Sequence, residues 1–204
     1  MITLGVKFTK ATREILYWIQ EQGFITNHIC SRLFYKNKAN GYSQAQVKLK
    51  NLYDNGVIKR YIHPHTKEFI YQYSLKDIDD HKKYICDLYS RIYELSDEII
   101  YSKLNEQTWK KSSRRNDAHI IYRIGDKVVG LLIEFDKFHK TSKEKLEQIY
   151  SSSEVQDWYK ENYGVEDYFP TFVIITPLGN VAYKSDDWNC VGLDYDFTDL
   201  KDIL

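Results

Sequence analysis

The sequence predicts an α+β protein in two parts: a small helical head closed by a β-hairpin, then a body of strands set between helices. Three observations carry that expectation. The 29 Lys+Arg and 29 Asp+Glu of the 204 residues balance overall, yet residues 1–76 hold 12 basic against 4 acidic side chains and residues 77–204 hold 17 against 25, a net +8 followed by −8. Apolar residues recur at helical spacing three times before Gly56 and then give way to alternation. Residues 128–133 and 172–175 are apolar at nearly every position, as strands covered on both faces are. The domains expected are therefore residues 1–76 and 77–204, the second with a linker helix at 77–95 and an acidic C-terminal tail.

Composition narrows the class. Hydrophobic residues at 43% and aromatics at 15% supply packed cores, which argues against wholesale disorder. The 18 tyrosines rise together with Ile, Lys and Asn, the signature of an AT-rich coding sequence, although Tyr-rich surfaces also stack bases or partners. Cys30, Cys86 and Cys190 lie far apart with no CxxC pair, which argues against a zinc site or a disulfide framework and for a reducing compartment. MITLGVKFTK is too short and too polar for a signal peptide, and no apolar run reaches membrane-spanning length, so the expectation is a cytoplasmic protein with no membrane partner.

In the head, residues 9–22 place Ile15, Leu16, Trp18 and Ile19 at helical spacing, and Gly23 supplies the stop. Thr26 caps a second short helix with Ile29, Leu33 and Phe34 inward. Ser43 or its neighbour caps a third helix, which shares Ala45, Leu49, Leu52 and Tyr53 on one face and runs to Asn55-Gly56. Val57-Ile58 opens a strand, and beyond the turn His63-Pro64-His65-Thr66 alternation resumes at Phe69, Tyr71 and Tyr73. Three helices and a hairpin, on a basic segment, are the order of a winged helix-turn-helix.

At about 100° per residue, inward Ala45, Leu49 and Leu52 turn Ser43, Gln46, Val47 and Lys50 outward, flanked by Gln44 and Asn51. Gln and Asn can pair with adenine, Lys can reach guanine or phosphate, and Val can meet a thymine methyl. The hairpin adds Lys59, Arg60, His63, His65 and Lys67 for phosphates or the adjoining minor groove, and Arg32, Lys36 and Lys38 can hold the backbone beside the second helix. The same side chains also suit an ordinary solvated surface, and winged helices dock proteins too.

In the body, residues 77–95 space Ile85, Leu88, Ile92 and Leu95 along one stripe with His81 in the seam, a connector helix or half of a dimer contact. Strands are expected at 98–104, then at 118–124 and 127–135 as a hairpin on Gly125-Asp126. Residues 143–163 are helical with a break near 151–153, residues 172–175 form a strand ended by Thr176-Pro177, and residues 180–184 pair beside it. Asp117 precedes one strand of the hairpin, and Glu134 and Asp136 share a face at the end of its partner. That is the layout of PD-(D/E)xK nucleases, in which two acids hold magnesium and a lysine assists the attacking water. Here Asp136 stands where the lysine belongs. Lys140, Lys143 or Lys145 could substitute for it, while Arg114, Arg115 or Arg123 could pair with the acids.

Leu52-Tyr53-Asp54-Asn55-Gly56-Val57-Ile58, a helix opened by His81, Asn116-Asp117-Ala118, Glu134-Phe135-Asp136, a basic helix and Phe172-Val173-Ile174-Ile175-Thr176-Pro177 follow one another over residues 8–178. In that order the chain resembles the replication-relaxation family of plasmids, phages and other mobile elements. The resemblance implies a DNA-binding protein serving replication, transfer or control of a mobile element, with a body of restriction-endonuclease-like topology. With Asp136 in place of the lysine that body is read as degenerate, and the leading expectation is a sequence-specific protein for double-stranded DNA acting in replication, transfer or transcriptional control. A homodimer on repeated or palindromic sites is expected, with no cofactor and no catalytic residue. The alternatives are a magnesium-dependent endonuclease using Asp117, Glu134, Asp136 and Lys143, or a protein-docking adaptor. Asp186, Asp187, Asp194, Asp196, Asp199 and Asp202 leave the tail acidic, either as a solvated strip or as a surface for a basic partner or the basic head.

Overall fold

The computed structural model describes residues 8–181 and 183–204. Most of the N-terminal decapeptide, and Ala182 within the strand expected at 180–184, lie outside the described residues. The chain divides into two compact units, the first ending at Glu94 and the second starting at Leu95, and both mix helix with strand.

In the first unit α1 (Lys10–Gln22) begins at Thr9, whose Oγ1 accepts the Thr12 amide at 3.3 Å. It ends at Gly23, whose φ of +86° suits a residue without Cβ. The two-residue strand β1 (Ile25–Thr26) leads into α2 (Asn27–Phe34), capped by the Thr26 hydroxyl on the Ile29 amide at 3.2 Å. Next, α3 (Gly41–Asp54) has Asn40 at its N-cap, three residues before the expected Ser43. The cause is packing: a Cβ on residue 41 would lie 2.6 Å from the Tyr35 carbonyl oxygen, so only glycine lets the chain enter the helix there. Gly41→Ala is therefore expected to destabilise the unit by about 1–2 kcal/mol, overpacking outweighing the helix propensity gained, as read by urea denaturation.

Val57 and Ile58 do not open the strand. The Val57 amide closes the end of α3 on the Leu52 carbonyl at 2.9 Å, and β2 (Lys59–Ile62) follows. β3 (Phe69–Gln72) pairs antiparallel with β2 on one side and β1 on the other, giving the order β1-β3-β2. α4 (Asp80–Leu95) buries Ile85, Leu88 and Ile92 as expected, while Leu95 is exposed. This helix belongs to the first unit as far as Glu94. Ion pairs Arg32–Asp87 (2.5 Å) and Lys83–Glu68 (3.0 Å) attach it, so the division between units lies beyond the charge break at Lys76.

The second unit contains β4 (Glu98–Lys103), a hairpin of β5 (Gln107–Trp109) and β6 (Arg114–Asn116), β7 (Ala118–Ile124), β8 (Lys127–Phe135), α5 (Lys143–Ser151), α6 (Glu154–Tyr163), β9 (Thr171–Ile175), β10 (Cys190–Leu193) and a 3-10 helix, Leu200–Ile203. Five strands form one sheet in the order β10-β9-β8-β7-β4; β4, β7 and β8 run antiparallel in turn, and β9 and β10 lie parallel to β8. The β7–β8 hairpin turns at Gly125-Asp126 as expected, with Gly125 at φ +55°. The strand expected at 180–184 is replaced by β10 as the partner of β9.

One face of the sheet packs Ile121, Leu132, Phe172 and Ile174 against Leu146, Ile149, Val155 and Tyr159 of α5 and α6. Side chains of opposite parity meet the C-terminal residues: the Tyr122 hydroxyl donates to the Ile203 carbonyl, and Phe135 stacks on Tyr195 at 5.7 Å. Trp188, Phe197, Leu200 and Ile203 are buried, so the acidic tail carries a packed apolar side. Among the described residues no helix is long and apolar enough to cross a membrane.

Candidate functional site

α3 buries Gly41, Ala45, Leu49 and Leu52. Tyr42, Ser43, Gln46, Val47, Lys50, Asn51, Tyr53 and Asp54 therefore lie on its exposed side, with Val47 at 68% exposure. Tyr42 leans on the His28 ring, with centroids 4.7 Å apart. An open groove of about 610 Å³ runs beside the helix, lined by Tyr35, Asn40, Ser43, Gln44, Val47, Lys48 and Asn51. Gln44 is engaged, its Nε2 donating to Asn40 Oδ1 at 2.5 Å. Lys48 donates to Thr12 Oγ1 at 3.2 Å, and Lys50 turns to Asp54, one turn further along α3. Among the described residues the side chains of Ser43, Gln46 and Asn51 make no hydrogen bond within the protein.

The hairpin is sorted differently from the sequence expectation. Lys59, His65 and Lys67 are exposed. Arg60 is half-buried between the Tyr53 and Phe69 rings, 4.3 and 4.5 Å from their centroids, an arrangement that fixes the guanidinium by cation–π attraction. His63 requires correction as a contact residue. It is 2% exposed, with Nε2 3.3 Å from Asp80 Oδ1 and Nδ1 3.3 Å from the Thr66 amide. Burial, with Lys83 nearby, holds its pKa below the usual histidine value.

Arg32 and Lys36 are likewise committed inside the unit. Arg32 pairs with Asp87 and, at 3.5 Å, with Glu94; Lys36 donates to the Tyr93 carbonyl at 3.0 Å and lies over its ring. The cations expected to flank α2 thus hold α4 in place. Lys38 remains exposed.

In the second unit the hairpin does bring Asp117 to the end of β8: its amide donates to the Ile133 carbonyl at 2.9 Å, and its Oδ2 accepts the Phe135 amide at 2.8 Å. Neighbouring Asn116 is buried and structural, its Oδ1 accepting from Trp109 Nε1 at 2.7 Å. Glu134 is buried, and Oε2 accepts Lys145 Nζ at 2.6 Å from α5, which lies over that face of the sheet. Lys145 therefore reaches the acid, whereas Lys143 pairs with Glu147 at 3.3 Å. Asp136 is also buried, but its Oδ1 and Oδ2 accept the Lys140 and Thr141 amides at 2.7 and 2.8 Å and so shape the approach to α5. Arg114, Arg115 and Arg123 meet Gln148, Glu106 and Glu98 instead of these acids.

A three-carboxylate magnesium cage from Asp117, Glu134 and Asp136 does not fit this arrangement. Both oxygens of Asp136 are occupied by amides, Glu134 is neutralised by an ammonium group, and no cluster of three His, Cys, Asp or Glu suited to a metal ion forms among the described residues.

The sequence reading did not single out His119. Its ring is wholly buried among Tyr101, Trp109, Trp158 and Tyr159. Nδ1 faces Gln107 Oε1 at 3.2 Å, an acceptor only, so it carries the hydrogen and Nε2 accepts from the Tyr159 hydroxyl at 2.9 Å. Desolvation, with Lys103 adding a smaller effect of the same sign, lowers its pKa to about 3. The alternation of residues 118–124 marked position 119 as facing the sheet, but the partners that enclose it come from distant segments.

Neither family models nor curated proteins nor solved structures give a match to this chain.

Proposed function

We propose that this chain binds double-stranded DNA, with α3 entering the major groove and the β2–β3 hairpin lying along the backbone as the wing of a winged helix-turn-helix. One observation carries the reading: α3 buries one face completely and presents Ser43, Gln46, Val47, Lys50 and Asn51 on the other. The element order α1-β1-α2-α3-β2-β3 with a three-stranded antiparallel sheet supports it. So does the charge, 15 Lys+Arg against 9 Asp+Glu in residues 1–94. The resemblance to the replication-relaxation family agrees, and with it a role in replication, transfer or transcriptional control for a plasmid or phage, in the cytoplasm, as a homodimer on repeated sites.

The body is read as a noncatalytic relative of the PD-(D/E)xK architecture. In the five-stranded sheet the antiparallel strands β4, β7 and β8 are followed by α5 and α6 and then by β9, parallel to β8, an order that supports the topology, and the use of Asp136 as a loop cap supports the loss of catalysis. The acidic tail offers a surface for a protein partner.

The test is retardation of DNA fragments from the host replicon by the purified chain. Binding should weaken steeply as salt rises. Lys50→Ala is expected to weaken every duplex about 5- to 10-fold and to reduce the salt slope by about one, the signature of a phosphate contact. Failure to bind any duplex at any salt would favour the protein-docking adaptor. Lys145 beside Glu134 motivates a second assay, supercoiled plasmid with magnesium or manganese. The plasmid should survive intact; cutting that Glu134→Ala abolishes would overturn the noncatalytic reading.

A further inference from the structure

We infer that the exposed face of α3 reads an A·T-rich major groove, with Val47 on a thymine methyl and Gln46 and Asn51 on adenine edges; this rests on the DNA-binding reading. The argument is an inventory of which side chains remain available. Guanine is most often read by Arg or Lys donating to O6 and N7. α3 contains no arginine; of its two lysines, Lys48 donates to Thr12 Oγ1, and Lys50, beside Asp54 near the C-terminal end of the helix, is the one given to phosphate above.

The arginines around it are fixed as well. Arg32 is held by Asp87 and Glu94, and Arg60 lies between two aromatic rings. What remains uncommitted is amide and hydroxyl capacity on Ser43, Gln46 and Asn51, around an aliphatic side chain that is 68% exposed. Ser43, Val47 and Asn51 stand four residues apart and form one stripe along the groove wall. Amide side chains match the N6 donor and N7 acceptor of adenine, and an aliphatic group matches the thymine methyl. The net positive charge of residues 1–94 favours a polyanionic occupant. The face selects its sequence by shape and amide pairing, and the cations supply affinity.

The experiment uses the full chain. Duplexes are selected from a random-sequence pool, and the selected site is remade with deoxyuridine for thymine, 7-deazaadenine for adenine, or 7-deazaguanine for guanine. Affinities are compared at one salt concentration. The expected site is A·T-rich. Deoxyuridine at the contacted step should weaken binding about 4-fold per methyl removed, and 7-deazaadenine about 5- to 30-fold. 7-deazaguanine should change affinity less than about 2-fold. Val47→Ala, at an exposed position that the fold does not need, should abolish sensitivity to deoxyuridine while leaving sensitivity to 7-deazaadenine. Strong dependence on guanine N7, or indifference of the unaltered chain to the methyl, would overturn the inference and leave DNA binding standing. Recovery of no duplex from the pool would overturn both.

Discussion

Acidification from pH 6.5 to about pH 4.5 is expected to remove about 2 kcal/mol of stability from the second unit through His119 alone. The sign follows from where the proton binds. In the folded state His119 stays neutral down to about pH 3, because its ring is desolvated and Nε2 already accepts from Tyr159. In the unfolded chain it titrates near 6.5. Above that value neither state carries the proton and stability is independent of this group. Below it the unfolded chain binds a proton that the folded chain refuses, so stability falls by about 1.4 kcal/mol per pH unit until the folded group titrates in turn. Urea denaturation at several pH values checks this, followed by the emission of Trp109, Trp158 and Trp188, which all lie in this unit. His119→Gln should be less stable at neutral pH, yet its stability should change with pH by about one proton less over the same range. An equal slope in the variant and the unaltered chain would mean that other groups dominate acid unfolding.

His119 also marks how far a sequence can be read. Elements whose signal is local were legible: α1 from its apolar spacing and Gly23, the β7–β8 hairpin from Gly125-Asp126, and the break between α5 and α6 from Ser151–Ser153. Elements defined by distant partners were not. β1 is two residues long, and nothing but its pairing with β3 makes it a strand. β10 contains Gly192, which weakens a strand signal, while Val181 and Tyr183 alternate without becoming one. The start of α3 was misplaced because Ser43 has the chemistry of a cap, whereas the close approach of Gly41 to Tyr35 decides where the helix begins.

The same distinction runs through the candidate sites. Helical angles alone assigned Ala45, Leu49 and Leu52 to the core and Gln46, Val47 and Lys50 to the exterior of α3, and the fold has them so. Spacing could not reveal that Arg32 meets Asp87, 55 residues away, or that His63 folds under the turn onto Asp80. That the hairpin brings Asp117 to the end of β8 was readable. Which acid caps a loop and which takes Lys145 depends on the path between β8 and α5.

That path-dependence sets up the largest mutational effect expected in the first unit. Glu68→Ala should cost about 3 kcal/mol, because it strands the ammonium of Lys83. Lys83 is 3% exposed and 3.0 Å from Glu68 Oε2, with Tyr84 as an aromatic neighbour at 4.9 Å. Glu68 is partly solvated, so the lower end of the range for broken buried pairs applies. The pair joins the β2–β3 turn to α4, and the Glu68 carbonyl also receives the His63 amide at 2.8 Å. The double variant Glu68→Ala with Lys83→Met removes the charge together with its partner and should recover most of the loss, since methionine fills the channel of the lysine stem. Chemical denaturation of the single and double variants reads the comparison directly. A cost below about 0.5 kcal/mol for Glu68→Ala would mean that water reaches Lys83 and that the turn is held by the hairpin alone.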